Sequence, residues 1–166
     1  MARKKIVGVM GAGHGALPSD VALAEELGEV LAREGFVLLT GGRAAGIMAA
    51  ANRGAKRVVS SITLGISPFR GEAHDPDDPL VDIRVFTGMG DGRNVINVLS
   101  SDVVVVCGQG GPGTASEAAL ALKSHRPLVL LRASPEAKAF FSTLGTVHFA
   151  DSADDVLELV RKLTGE

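Results

Sequence analysis

Four glycine-rich segments hold the residues of this 166-residue chain that could do chemistry. The first, Gly11-Ala12-Gly13-His14-Gly15-Ala16, has the G-x-G-x-x-A spacing that lets a backbone approach a pyrophosphate. It reads either as a tight turn or as a phosphate or heterocycle contact through Gly11, Gly13 and His14. A dinucleotide site also needs an acidic residue at the end of the second strand, and Leu38-Leu39-Thr40-Gly41 has none. The second segment runs from Thr40 to Gly46. Gly41 and Gly42 let the backbone come close to a ligand. Arg43 is a candidate two-pronged phosphate donor or else a solvated side chain. The helix that follows should present its N-terminal amides.

The third segment, Gly108-Gln109-Gly110-Gly111-Pro112-Gly113-Thr114-Ala115-Ser116-Glu117, is the strongest candidate for an anion cradle. Gly110, Gly111 and Gly113 expose main chain, and Thr114 stands where a helix cap is expected. The segment lacks the Gly-Lys-Ser/Thr of a P-loop. Glu117 is either a surface acid in the first helical turn or a cleft residue able to accept from a hydroxyl or polarise water. The fourth segment, Thr87 to Asn94, also opens a helix, with Arg93 as solvated side chain or phosphate clamp and Asn94 beside it.

These segments need a scaffold that brings them together, and the chain alternates short apolar runs with helical patterns from end to end. Strands are expected at Lys5–Met10, Phe36–Thr40, Ile62–Ile66, around Val81–Val85, at Asp102–Cys107, Pro127–Leu131 and Val147–Phe149. The run Val103-Val104-Val105-Val106 suits a central strand covered on both faces, and Val81, Ile83 and Val85 alternate with charge as an edge strand does. Helices are expected after Ser19 as N-cap, over Gly46–Arg53, Asp91–Ser101 and Thr114–Ser124, after Ser134-Pro135, and after Asp151 or Ser152. The helix from Asp91 should gather Val95, Val98 and Leu99 on one face. Residues 68–79, rich in proline and acid, read as a surface loop and candidate lid.

The expected fold is therefore a single Rossmann-like α/β domain over 1–166: a doubly wound parallel sheet of about 6–7 strands with helices on both faces. Ligands in such folds sit beyond the carboxyl ends of the strands, where three of the glycine segments fall.

Composition narrows the function. The net charge of −2 argues against a nucleic-acid partner, and no apolar run is long enough for a membrane span. The single cysteine, Cys107, forms no internal disulfide and fits a cytoplasmic setting, as a buried apolar residue. His14, His74, His125 and His148 lack metal-ligand spacing, so no metal site is expected; His14 alone lies beside a glycine loop.

The segment Gly110-Gly111-Pro112-Gly113-Thr114-Ala115-Ser116-Glu117 resembles the P-G-G-x-G-T-x-x-E motif of the LOG-like superfamily, often labelled lysine decarboxylase-like. Arg93-Asn94 is similar to that family's Arg-Lys element, and Thr40–Met48 to its G-G-x-x-x-G-[LI]-M element. Gly8–Gly11 and Thr87–Asn94 resemble segments of the short DprA/Smf-related branch that includes molybdenum cofactor carrier proteins. The resemblance covers roughly residues 6–131. It implies a Rossmann-like homo-oligomer, usually a dimer; the helices 91–101 and 114–124 are candidate contact surfaces.

It also implies one of two activities. LOG enzymes cleave the N-glycosidic bond of nucleoside 5′-monophosphates, with catalytic residues mapping to Arg93 and Glu117; the carriers bind a phosphorylated pterin without turnover. The chain departs from the hydrolase pattern at Asn94 (usually Lys), Ser116 (usually Glu) and Gln109 (usually Pro), and its Asp102–Glu117 stretch is one residue longer. Those departures favour a binding protein for a phosphorylated nucleotide-like or molybdopterin-type ligand, with no other cofactor required. A phosphoribohydrolase is the alternative and a DprA-like sensor module a third. Pyridoxal phosphate chemistry is disfavoured, because each lysine falls at the terminus or on an expected helix rather than beside the cradle.

Overall fold

The computed structural model describes residues 3–71 and 75–166. Seven strands form one parallel sheet: β1 (Ile6–Gly11), β2 (Val37–Thr40), β3 (Ile62–Ser67), β4 (Ile83–Phe86), β5 (Val103–Cys107), β6 (Leu128–Leu131) and β7 (His148–Ala150). The order is β4-β3-β2-β1-β5-β6-β7, every neighbouring pair running parallel. The chain winds outward one way from β1, then returns to the centre and winds the other way from β5. The switch point lies between β1 and β5, paired from Val7↔Val103 to Gly11↔Cys107. The expected edge strand is indeed an edge, and Ile83 and Val85 stay exposed there.

The six α-helices among the described residues divide between the faces. Helices α1 (Pro18–Arg33), α2 (Gly46–Ala55) and α6 (Ala153–Thr164) cover one; α3 (Arg93–Ser100), α4 (Pro112–Lys123) and α5 (Pro135–Ser142) cover the other. Strand β5 shows why. Val103, Val105 and Cys107 enter the first core while Val104 and Val106 enter the second, as a two-residue repeat dictates. Both faces are apolar, so both need helices.

Helices α1 and α2 cross at unusually short range. A methyl group on Gly28 would collide with the Ala51 carbonyl, and one on Gly54 with the Glu25 carbonyl. Ion pairs from Glu25 to Arg53 and from Glu29 to Arg57 close the rim of this crossing.

Several local expectations shift. Helix α1 starts two residues earlier than Ser19 would cap it: Pro18 takes the first turn, where its fixed φ is already helical, and Leu17 is the N-cap. Pro112 starts α4 in the same way, so Gly111 is the N-cap and Thr114 lies inside the first turn. Ser134 caps α5, and Ser152 caps α6 in a reciprocal box with Asp155. On α3 only Val98 of the expected apolar trio is buried; Val95 and Leu99 are 40% and 47% exposed.

Within the stretch read as a loop, residues 72–74, and so His74, lie outside the described residues. The residues after them are tied down. Asp77 bridges Arg43 in antiparallel fashion, the Ala44 amide donates to the Pro76 carbonyl, and the Asp78 amide donates to the Gly42 carbonyl. No helix of the described residues is long and apolar enough to cross a membrane.

Candidate functional site

A cleft of about 310 Å³ opens at the carboxyl ends of β1 and β5, at the switch point. The turn after β1 supplies Gly11, Gly13 and His14; the start of the Thr40–Gly46 segment supplies Gly41. Helix α3 contributes Arg93 and Asn94, and α4 contributes Gly111, Gly113, Thr114 and Glu117. Four segments separate in sequence thus share one wall because each follows a strand of one parallel sheet, or a helix returning to its top.

Three expected residues are elsewhere. Arg43 is buried and faces away from the cleft, held by Asp75 at 3.0 Å, by Asp77 at 2.8 Å and by the Phe69 carbonyl at 3.0 Å, with its guanidinium stacked over the Phe69 ring. It is a structural clasp for Phe69, Asp75 and Asp77, although its buried Nε makes no hydrogen bond of its own. Gly42 has φ +77°, and its carbonyl accepts from Arg84 and the Asp78 amide, so its role is conformational. Gly110 makes room for the Thr114 side chain. The start of α2 is also closed: the Ile47 amide donates to the Ala12 carbonyl at 2.9 Å, and Gly46 packs on Gly13. The glycines of the second segment therefore serve packing between loops more than ligand contact.

The start of α4 differs. Pro112 has no N–H, and the first helical donor is the Ala115 amide, to the Gly111 carbonyl at 3.0 Å. The Gly113 and Thr114 amides are then the first-turn donors without intrahelical partners, at the positive end of the helix.

Arg93 is the cation of the cleft. One guanidinium nitrogen donates to the Ile66 carbonyl at 2.9 Å, and the group lies against Gly41, where a Cβ would collide with it. Burial lowers its pKa and the nearby Glu117 carboxylate partly offsets that; a guanidinium stays charged regardless. Glu117 is 7% exposed, and burial raises its pKa above the usual carboxylate value, opposed by a hydrogen bond from Asn97 and by the charge of Arg93. His14 is exposed, with Nε2 4.0 Å from Asp75 at the mouth. Cys107 is buried beneath the site with its thiol pKa pushed up to about 12, chiefly by desolvation, so it is an inert packing residue.

Sequence reading missed three contributors. Asn97, fully buried, donates to Glu117 Oε1 at 3.0 Å while its own Oδ1 has no partner. It stands four residues after Arg93, so helical spacing was the available signal. Met48 lines the cleft and touches the same side of Gly41 as Arg93. Asp20, buried in the first turn of α1, packs its carboxylate on Gly108, whose φ of +72° leaves no room for a Cβ.

The arrangement can grip an anion between the start of α4 and Arg93, and present one buried carboxyl to the rest of the guest.

Comparison with known proteins finds relatives of the same fold. Residues 4–157 match the SLOG cluster4 family. The molybdenum cofactor binding protein of the phototrophic bacterium Rippkaea orientalis superposes with a TM-score of 0.92 at 44% identity, covering 99% of each chain. The Moco carrier protein of Chlamydomonas reinhardtii superposes at 0.88 with 43% identity, covering 98% of this chain and 99% of its own. A protein of Archaeoglobus fulgidus is 39% identical over 126 residues, 76% of this chain and 79% of that one.

Proposed function

The chain belongs to the SLOG cluster4 family, and from that membership and the cleft we propose that it binds a phosphorylated molybdopterin-type ligand and carries it without turnover. The observation that carries this reading is that the α4 start and Arg93 line one cleft at the β1/β5 switch point. The α4 amides and Arg93 hold the phosphate. Glu117, fixed by Asn97, accepts from donor groups on the ring system, and Gly11 and Gly13 let that ring lie against main chain. The similarity to two molybdenum cofactor proteins over nearly their whole length supports the choice of ligand class.

Native mass spectrometry of the purified protein should reveal a bound small molecule. Calorimetric titration with molybdopterin should give tighter binding than AMP or GMP. Failure of molybdopterin to bind would end this reading.

The cleft supports a second reading, nucleoside-monophosphate phosphoribohydrolase, because Arg93 and Glu117 face the same space and the buried carboxyl is poised to hold a proton. Glu117→Gln should then abolish base release from AMP while leaving binding nearly intact. Absence of base release from every monophosphate by the unaltered protein removes that reading. For assembly we propose a homo-oligomer using α3, whose Val95 and Leu99 remain exposed; sedimentation of Val95→Glu against the parent chain tests it.

A further inference from the structure

A second cavity, of about 320 Å³, lies on the other side of the Gly108–Gly113 loop, between α4 and α5. It is more apolar than the cleft. Val106 and Leu130 form its floor, Ala118 and Ala137 its sides, and the edge-to-face pair Phe140–Phe141, with ring centroids 5.2 Å apart, its outer end. Phe140 is 58% exposed, an aromatic ring left at the mouth of a concave apolar space. Gln109, standing where the resembled motif has proline, brings a side-chain amide to the same space.

Thr114 lines both cavities. The crest between them runs over Gly110, which lines this cavity, and Gly111, which lines the cleft and where an added Cβ would meet nothing within 4 Å. The unpaired amides at the start of α4 therefore sit between two ring-sized spaces.

We propose that the chain takes a ligand in which a diphosphate joins two ring systems, the second of them a nucleobase in the cavity between α4 and α5. This rests on the reading of the cleft as the seat of the phosphorylated pterin. The diphosphate crosses the open crest at Gly111 and meets the Gly113 and Thr114 amides. The base lies against Phe140, and Gln109 offers one donor and one acceptor to its polar edge, the pairing that a side-chain amide makes with a base. The cavity is closed on its floor by the core, so it accepts a flat ring and leaves the sugar at the rim.

The test compares GDP with P1,P2-diguanosine diphosphate by calorimetry, since the two share a diphosphate and one guanosine and differ by the second nucleoside. The two-base compound should bind about ten-fold more tightly, the gain expected of one base stacked on an aromatic side chain. Ala137→Phe, which fills the cavity without touching the cleft, should erase that gain and leave GDP unchanged. Phe140→Ala, at an exposed position, should reduce the gain and serves if the first variant does not fold. Equal affinity for the two compounds, a gain that survives both substitutions, or binding of neither compound by a protein that does bind molybdopterin overturns the proposal. A change of oligomeric mass on Ala137→Phe would assign the cavity to a second copy and also overturn it. Loss of molybdopterin binding itself marks failure of the underlying reading.

Discussion

Asn94 and Ser116 are hydrogen-bonded, the Asn94 side-chain amide donating to Ser116 Oγ at 3.1 Å, and Ser116 Oγ passes its own proton to the Gly113 carbonyl at 2.6 Å. These are two of the positions at which the chain departs from the hydrolase pattern, which carries a lysine and a glutamate there. The two departures are thus in direct contact here, and a neutral pair ties α3 to the start of α4.

Exchanging the pair in both directions should reveal the contact. Asn94→Lys alone and Ser116→Glu alone each place an unpartnered charge at a half-buried position and should lower stability. The double variant should recover about 1 kcal/mol of coupling in a double-mutant cycle followed by urea denaturation. Strictly additive losses would show that the two side chains act apart.

Arg43 and Arg93 should separate stability from affinity. Arg43→Ala removes a partner from Asp75 and Asp77, which remain partly solvated, and should cost about 1–3 kcal/mol in urea denaturation with little change in GMP affinity. Arg93→Ala should instead weaken GMP at least about ten-fold, the loss of a charge-assisted phosphate contact. The opposite pattern would return Arg43 to the ligand.

Glu117 should make stability fall as pH rises. Its pKa in the folded chain lies above the ordinary value of 4.5 because burial penalises the carboxylate. The folded state therefore binds the proton more tightly than the unfolded state. The stabilisation is complete below about pH 4.5 and is lost as pH climbs through the raised folded value. Glu117→Gln should lose that slope, so its midpoint in urea relative to the parent should improve from pH 4.5 upward. A constant difference between the two proteins across that range would remove Glu117 as the source.

The α1–α2 crossing should tolerate no added carbon. Gly28→Ala and Gly54→Ala each drive a methyl group into a backbone carbonyl of the other helix. Each should cost about 1–3 kcal/mol, read as a lower urea midpoint at unchanged slope. An alanine gain in helix propensity would be the outcome if the helices could simply part.

The strand and helix positions were legible because each depends on neighbours in sequence. Val103–Val106 announces a two-sided strand, Ser134-Pro135 a helix start, and alternating charge at 82–85 an edge. Misplaced starts such as Ser19 and Thr114 came from weighing a capping side chain above a proline, whose ring fixes the first turn. Arg43 stands outside the cleft lining for a reason that short-range pattern does not show: glycines beside an arginine suggest phosphate, and the aspartates that pair with it lie more than thirty residues on.

The amino-acid order by itself determined an alternating α/β chain, a parallel sheet buried on both faces, and glycine turns at the strand ends. Those features follow from short-range periodicity and from φ values that few residues accept. Only the tertiary structure decided which turns line the cleft. Loop one closes the start of α2, Asp75 and Asp77 claim Arg43, and Asn97 orients Glu117, while the start of α4 stays open between two cavities. A donor serves a ligand only if no partner from a distant part of the chain reaches it first, and that competition is settled by packing in three dimensions.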